Sequence, residues 1–228
     1  MTMITYKDCW YKEVCKKYTR NQVNCVSCPK FIEMKTMLEL SNLPEKKWKP
    51  QKLLPLRDED SWNELMDIKK NIRNWVDSGK NLYIYSETCG NGKTSWAIKL
   101  LQSYFDKIWM GNGLECRGIF ISVPNFLIKN KEIITKFDND FVELKNKLDK
   151  VDLVIWDDIA STKLTEYEHE LLLAYIDTRI LNEKANIFTG NVNEEVMKSY
   201  LGERLTSRVW ASSKVIEFTN LDMRGVDV

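Results

Sequence analysis

The 228-residue chain is 43% hydrophobic and 29% charged with a formal net charge of +1, the composition of an ordinary soluble protein with one main core and an appendage. It has no apolar run of about 18 residues to span a bilayer, and its N-terminus, MTMITYKDCWYKEVC, carries charges where a signal peptide needs an apolar stretch. No transmembrane helix is expected, and the protein is expected to stay in the cytoplasm. The small net charge hides an asymmetry: residues 1–50 hold 10 Lys/Arg against 5 Asp/Glu, and residues 51–228 hold 24 against 28. A basic appendage on a mildly acidic core suits a nucleic acid or an acidic protein partner, and a solvated lysine-rich surface explains the same letters.

Residues 1–40 contain four of the six cysteines, Cys9, Cys15, Cys25 and Cys28, spaced C-x5-C-x9-C-x2-C. Cys25 and Cys28 form a good zinc half-site, because two intervening residues let both thiolates reach one tetrahedral ion. The other half is looser. A cytosolic setting argues against disulfides, and a metal would supply the stability that so short a segment lacks. The alternatives are four reduced thiols on a helical segment, or a redox pair. Residues 41–58 hold three of the five prolines and read as a linker.

A helix is predicted from Asp60 or Ser61, with Trp62, Leu65, Ile68, Ile72, Trp75 and Val76 on one face and Gly79 ending it. Beyond it the chain alternates. Strands are predicted at 82–86, 118–122, 151–156, 185–189 and 214–218. Helices are predicted at 93–108, 124–136, 138–149, 166–181 and 193–210, the last broken near Gly202. Strands separated by helices predict an α/β fold with a parallel sheet in three layers.

Residues 82–98, LYIYSETCGNGKTSWAI, run from an apolar strand through a glycine turn into a helix. That order suits a phosphate cradle. Backbone amides around Gly90, Asn91 and Gly92 can face the β-phosphate, and Lys93 can reach the β and γ oxygens. Thr94, followed by Ser95 at the helix start, can take one Mg²⁺ position. Glu87 replaces the first glycine of G-x-x-x-x-G-K-[ST], and a carboxylate there repels triphosphate unless it points away.

The strand at 151–156 ends in Asp157 and Asp158. Asp157 can hold Mg²⁺ through its water shell, and Asp158 can orient or deprotonate an attacking water. The strand at 185–189 leads to Thr189-Gly190-Asn191, where Asn191, or Thr189 as second choice, can hydrogen-bond the γ-phosphate or that water. Arg204 and Arg208 lie four apart on one helix face. Either can stabilise transition-state charge in a neighbouring subunit, although an ordinary surface pair has the same spacing.

LYIYSETCGNGKTS, VDLVIWDDIA, NIFTGN and LGERLTSR follow one another at spacings that resemble AAA+ ATPases. They are more closely similar to the DnaC/DnaI-type replicative helicase loaders and their phage-encoded relatives. The resemblance covers residues 50–228. It implies that Lys93 and Thr94 belong to Walker A, Asp157 and Asp158 to Walker B, and Asn191 to sensor 1. Arg208 matches the arginine finger, with Arg204 as its polar neighbour, and the helical lid with its sensor-2 arginine is expected to be missing, as in loaders of this family. The division implied is a Cys-rich, zinc-binding helicase-interaction domain at 1–45, a linker at 46–58 and an AAA+ domain at 59–228.

The resemblance also implies ATP, Mg²⁺ and Zn²⁺ as cofactors. It implies a DnaB-type replicative helicase and single-stranded DNA as partners, self-association through the ATPase domain, and slow hydrolysis stimulated by DNA or partner. The alternatives are an IstB-like transposition helper and a non-hydrolysing helicase-binding adaptor in which Glu87 spoils the loop. The Lys/Asn-rich composition suits a phage of a low-GC bacterium. Cys89 and Cys116 are expected to pack as small hydrophobes, and His169 to lie on the surface. Trp62, Trp75, Trp96 and Trp109 are expected in the core. The segment 125–136, with Lys129, Lys131 and Lys136 beside Phe126, suits either a strand-tracking groove or, preferably, an amphipathic surface helix.

Overall fold

The computed structural model describes residues 28–50, 58–112, 114–133 and 137–219, together with Cys9 and Leu53. Its centre is a five-stranded parallel sheet in the order β2-β3-β4-β1-β5. The strands are β1 (Asn81–Tyr85), β2 (Gly118–Ser122), β3 (Leu153–Asp157), β4 (Ala185–Gly190) and β5 (Ser213–Glu217). The inner strands β1, β3 and β4 are buried along their whole length, as parallel strands covered on both faces must be. Every predicted strand forms, with its ends displaced by two residues at most.

The period-2 alternation of side chains divides the strands between two cores. Leu82, Ile84, Leu153, Ile155 and Ile187 face one layer of helices: α1 (Pro29–Leu40), α2 (Glu59–Lys70), α3 (Ile72–Asp77) and α4 (Lys93–Ile108). Tyr83, Tyr85, Val154, Trp156 and Phe188 face the other layer: α5 (Val123–Glu132), α6 (Asn139–Leu148), α7 (Glu166–Leu181) and α8 (Glu194–Thr206). The fold is the expected three-layer α/β arrangement.

The helices repeat the expected pattern with instructive departures. The long helix predicted before β1 is two, because Asn71 adopts φ −104° and breaks it. The helix predicted at 124–136 ends at Glu132, and Lys136 lies outside the described residues. Helix α7 starts where predicted, on a reciprocal capping box between Thr165 and Glu168. The last predicted helix breaks at Gly202 (φ 73°, ψ 165°) and ends in a π turn at Ser207–Ala211.

Helix α1 was not predicted. Met34, Met37 and Leu38 are spaced three and four apart, and with Leu43 they belong to the same apolar cluster as α4. Ser41 and Asn42 then run along the outer edge of β2. The amide of Phe120 donates to Ser41 O (2.8 Å), and Asn42 Nδ2 donates to Phe120 O (2.9 Å). The edge that would invite a foreign strand is thus covered in part. Gln102 of α4 holds the turn that follows, donating to Lys47 O and Trp48 O at 3.0 Å each. The domain limit expected at residue 45 therefore falls just after a helix that packs into the same core as α4.

Cys15 and Cys25, half of the expected zinc set, lie outside the described residues. Cys9 and Cys28 are half-buried, and among the described residues no group of three or more His, Cys, Asp or Glu is placed to hold a metal. Among the described residues, too, no helix is long and apolar enough to cross a membrane.

At the N-terminal edge of the sheet sits a residue that the sequence reading overlooked. Arg179 of α7 is fully buried. Its Nε donates to Asn186 Oδ1 (2.8 Å), Nη1 to Val151 O (3.0 Å) and Leu148 O, and Nη2 to Ala185 O (2.7 Å) and Asp152 O (3.4 Å). One guanidinium fork stitches α6, α7 and the starts of β3 and β4.

Candidate nucleotide site

Strands β1, β3 and β4 end side by side, and their C-terminal tips carry the expected chemistry. This is where open α/β sheets place ligands. Ser86 leaves β1 still paired with β4, its amide 3.4 Å from Gly190 O. The loop then folds on its own side chains. Asn91 Nδ2 donates to Ser86 Oγ and to Thr88 Oγ1 (3.0 Å), and Lys93 Nζ donates to Asn91 Oδ1 (3.0 Å) and Thr88 O (2.9 Å). Lys93 is 6% exposed, so its ammonium is held inside the loop's curl.

Gly92 stands at the N-cap of the 16-residue α4 with φ 94°. An L side chain is strained in that conformation. A Cβ there would meet no atom within 4 Å, so the space above the helix N-terminus is open. With no acidic residue in the first turn of α4, the helix dipole favours an anion at this point. The residues present fit a nucleotide phosphate. Ser95, in the same first turn, is half-buried, and Cys89 is exposed within the loop, which corrects the expectation that it packs as a small hydrophobe.

Asp157 closes β3, buried, with its Oδ1 accepting from Thr94 Oγ1 (2.8 Å) and Thr189 Oγ1 (2.7 Å). The start of α4 and the end of β3 are thus joined by one hydrogen bond. Burial pushes the Asp157 carboxyl up, and the charge of Asp158 adds to that. The two threonine hydroxyls and the Lys93 charge oppose it. A divalent cation fits the donor set: a carboxylate and a hydroxyl already in contact, in a place where burial leaves the negative charge wanting a partner. Asp158 turns off the strand with φ 58° and is half-buried, a left-handed conformation that Asp tolerates better than most residues.

The tip of β4 is anchored from below. Tyr83 OH donates to Val192 O (2.9 Å), and a Cβ at Gly190 would collide with that hydroxyl. Only glycine fits there. Asn191 follows immediately, half-buried, one residue beyond the Tyr85–Gly190 pair that ends the β1–β4 ladder. Asn191 is the residue expected to sense a γ-phosphate. Thr189, its second choice, instead serves the acids.

Glu87 has its own partner. Asn193 caps α8 with Oδ1 on the Val196 amide (3.1 Å), and its Nδ2 donates to Glu87 Oε1 (3.1 Å). The carboxylate is drawn toward α8. Glu87 is also not among the residues with positive φ, so this turn does not require the glycine that the motif usually has.

Arg204 and Arg208 lie apart from this cluster, along a shallow cleft of 320 Å³ with Leu173, Asp177, Glu203 and Ser207. Arg208 sits in the π turn, its Nε 2.6 Å from Asp177 Oδ1. The contact is a close ion pair without the alignment of a hydrogen bond. The cis pairing with Asp177 was not predicted, and spacing alone carries no signal for it.

The remaining expectations divide. Phe126 is 3% exposed and Lys131 pairs with Glu168 at 2.8 Å. The aromatic of a strand-tracking groove is therefore unavailable, and α5 is the amphipathic surface helix that was preferred. Trp96 is buried, and Trp62, Trp75 and Trp109 pack against the same core. His169 is half-buried at the surface, its side chain 20% exposed beside the exposed Glu170.

No family model matches the chain, and no curated protein matches it in sequence. Solved structures do. The crystal structure of the DnaC helicase loader is 18% identical with a TM-score of 0.63, covering 77% of this chain and 99% of that one. DnaI is 17% identical with a TM-score of 0.60, covering 73% and 88%. AMPPCP-bound DnaA from Aquifex aeolicus is 19% identical with a TM-score of 0.56, covering 73% of this chain and 48% of that one. These likenesses show a fold that this chain shares with the DnaC helicase loader and DnaI structures.

Proposed function

We propose that this protein is an ATP-dependent loader of a hexameric, DnaB-type replicative helicase onto single-stranded DNA. In this reading it acts as a nucleotide-driven assembly switch with slow hydrolysis. The observation that carries the nucleotide part is the Thr94–Asp157 hydrogen bond at 2.8 Å, beside a buried lysine and an open helix N-terminus. The loader part is supported by the fold shared with a structure named as a helicase loader and with DnaI. AMPPCP in the similarly folded DnaA supports ATP as the nucleotide.

Bound Mg²⁺ would neutralise charge on the β and γ oxygens. Lys93 and the amides from Gly90 to Thr94 would hold the phosphates, with Thr94 and Asp157 as the metal's protein partners. Asp158 and Asn191 would orient the attacking water. Arg208, with Arg204 beside it, would reach a neighbouring subunit's nucleotide after leaving Asp177. That ion pair is half-exposed and costs about 0–1 kcal/mol to break, so assembly can displace it. The Glu87–Asn193 contact speaks against the adaptor reading, since it draws the carboxylate away from the phosphates.

The test uses the full chain. ATP turnover and ATP-dependent co-purification with a hexameric replicative helicase are expected for the wild type, and both are expected to fail in Lys93→Ala. A wild type that takes up no nucleotide at millimolar levels refutes the reading. The proposal extends to Cys9, Cys15, Cys25 and Cys28 as a zinc site in the helicase-contacting segment, which predicts one zinc per chain by metal analysis. A deletion that tests helicase contact should end at residue 27, because removing α1 would strip Met34, Met37 and Leu38 from the ATPase core.

A further inference from the structure

We propose that Thr189 is a positioning residue of the nucleotide site, whose single hydroxyl fixes both acids at the end of β3 for metal binding. The proposal rests on the nucleotide reading above.

Three observations carry it. First, the β3–β4 ladder stops at the pair Trp156–Phe188, one level short of Asp157 and Thr189. On the β4 side, strand pairing therefore stops before the acids, although Asp157 is still paired with Ser122 on the β2 side. Second, the Thr189 hydroxyl takes over at that level: it donates to Asp157 Oδ1 at 2.7 Å and accepts from the Asp158 amide at 3.1 Å. A hydroxyl can do both at once because it has one proton and two lone pairs. Third, Thr189 is 0% exposed, and its own carbonyl accepts from the Ile159 amide at 2.9 Å, so the residue is clamped on both sides of the acid turn.

The geometry has a chemical consequence. Thr94 and Thr189 both donate to Oδ1 of Asp157. With two donors on one oxygen the carboxylate cannot rotate freely, and Oδ2 keeps its lone pairs for a metal's water shell. The hydrogen bond to the Asp158 amide holds the backbone in the left-handed turn that re-aims the second carboxylate. An ordinary strand-end threonine would need neither contact. A hydroxyl that orients a metal-binding carboxylate typically alters metal affinity by about 10–100-fold when removed.

Thr189→Val removes the hydroxyl while keeping shape and strand preference. The affinity of the full-length wild type and variant for a fluorescent ATP analogue is measured with excess Mg²⁺ and again in EDTA. For Thr189→Val the gain in affinity from Mg²⁺ is expected to shrink by about tenfold or more, with affinity in EDTA little changed, and Thr189→Ser is expected to restore the gain. Equal losses with and without Mg²⁺, or an undiminished Mg²⁺ gain, overturn the proposal.

Should the valine variant not fold, Thr189→Ala carries the same test. In the wild type, an Asp158 amide that exchanges with solvent as fast as an unprotected one also overturns it. No uptake by the wild type refutes the nucleotide reading and this proposal together. Uptake by the wild type with an unchanged Mg²⁺ gain in Thr189→Val refutes this proposal alone.

Discussion

Replacing Arg179 with methionine should destabilise the protein without touching nucleotide affinity. The methionine fills the aliphatic volume of the arginine but donates no hydrogen bonds, so the five acceptors on α6, β3 and β4 lose that partner. Two or three well-made bonds to buried acceptors, at about 1–3 kcal/mol each, set the gross loss. Part of it is returned because a buried charge no longer has to be desolvated. The net is about 3–5 kcal/mol, and at about 2–4 °C per kcal/mol for a chain of this size the melting temperature should fall by about 10 °C. Thermal and urea unfolding followed by circular dichroism read this directly. Arg179→Lys should rescue little, because three donors on a point charge cannot span the fork's acceptors. The nucleotide site lies at the other end of five-residue strands, about 15 Å away, so affinity at low temperature should stay at the wild-type value. A fall in melting temperature of less than about 3 °C would refute the assignment of Arg179 as the stitch of the sheet's N-terminal edge.

Glu87→Gly should change ATP affinity by no more than about threefold, since the carboxylate is held by Asn193 and the lost contact is one exposed hydrogen bond of about 1 kcal/mol or less. Tenfold tighter binding by isothermal titration would show instead that Glu87 faces the phosphates. Asp152 supplies a pH prediction. Burial alone would raise its pKa, but hydrogen bonds from Arg117, Lys184 and Tyr104 outweigh that and hold it below the usual carboxylate value. A lowered folded-state pKa means that this stability is complete above the unfolded value of about 4 and is lost as pH falls through the folded value. Asp152→Asn should therefore lower stability by about 1–3 kcal/mol at pH 7. The gap should close as pH drops below about 4, measured as urea midpoints across pH, and a gap independent of pH would contradict the account.

What was legible in the sequence was what a local pattern encodes. Lys93, Thr94 and Asp157 announce themselves through residue types that few other contexts require, and the alternation of apolar strands with helices fixes a parallel sheet. Neighbourhood across the sheet is another matter. Nothing in the period of a strand says that β4 lies between β1 and β3, and the role of Thr189 exists only because it does. Its two letters of context, an apolar strand before and Gly-Asn after, suit a phosphate sensor equally well. Arg179 was missed for a different reason: a charged residue in an amphipathic helix reads as solvated surface, and only the carbonyls gathered from three other elements make its burial tolerable. Helix α1 had a legible face in Met34, Met37 and Leu38, but the cysteines around it drew attention away from its packing against α4. Glu87 shows how a motif mismatch resolves. The consensus glycine answers a conformational demand, this turn makes no such demand at that position, and a long-range partner, Asn193, disposes of the charge. A departure from a motif therefore has to be weighed against the backbone conformation and the side-chain partner at that position before it counts against function.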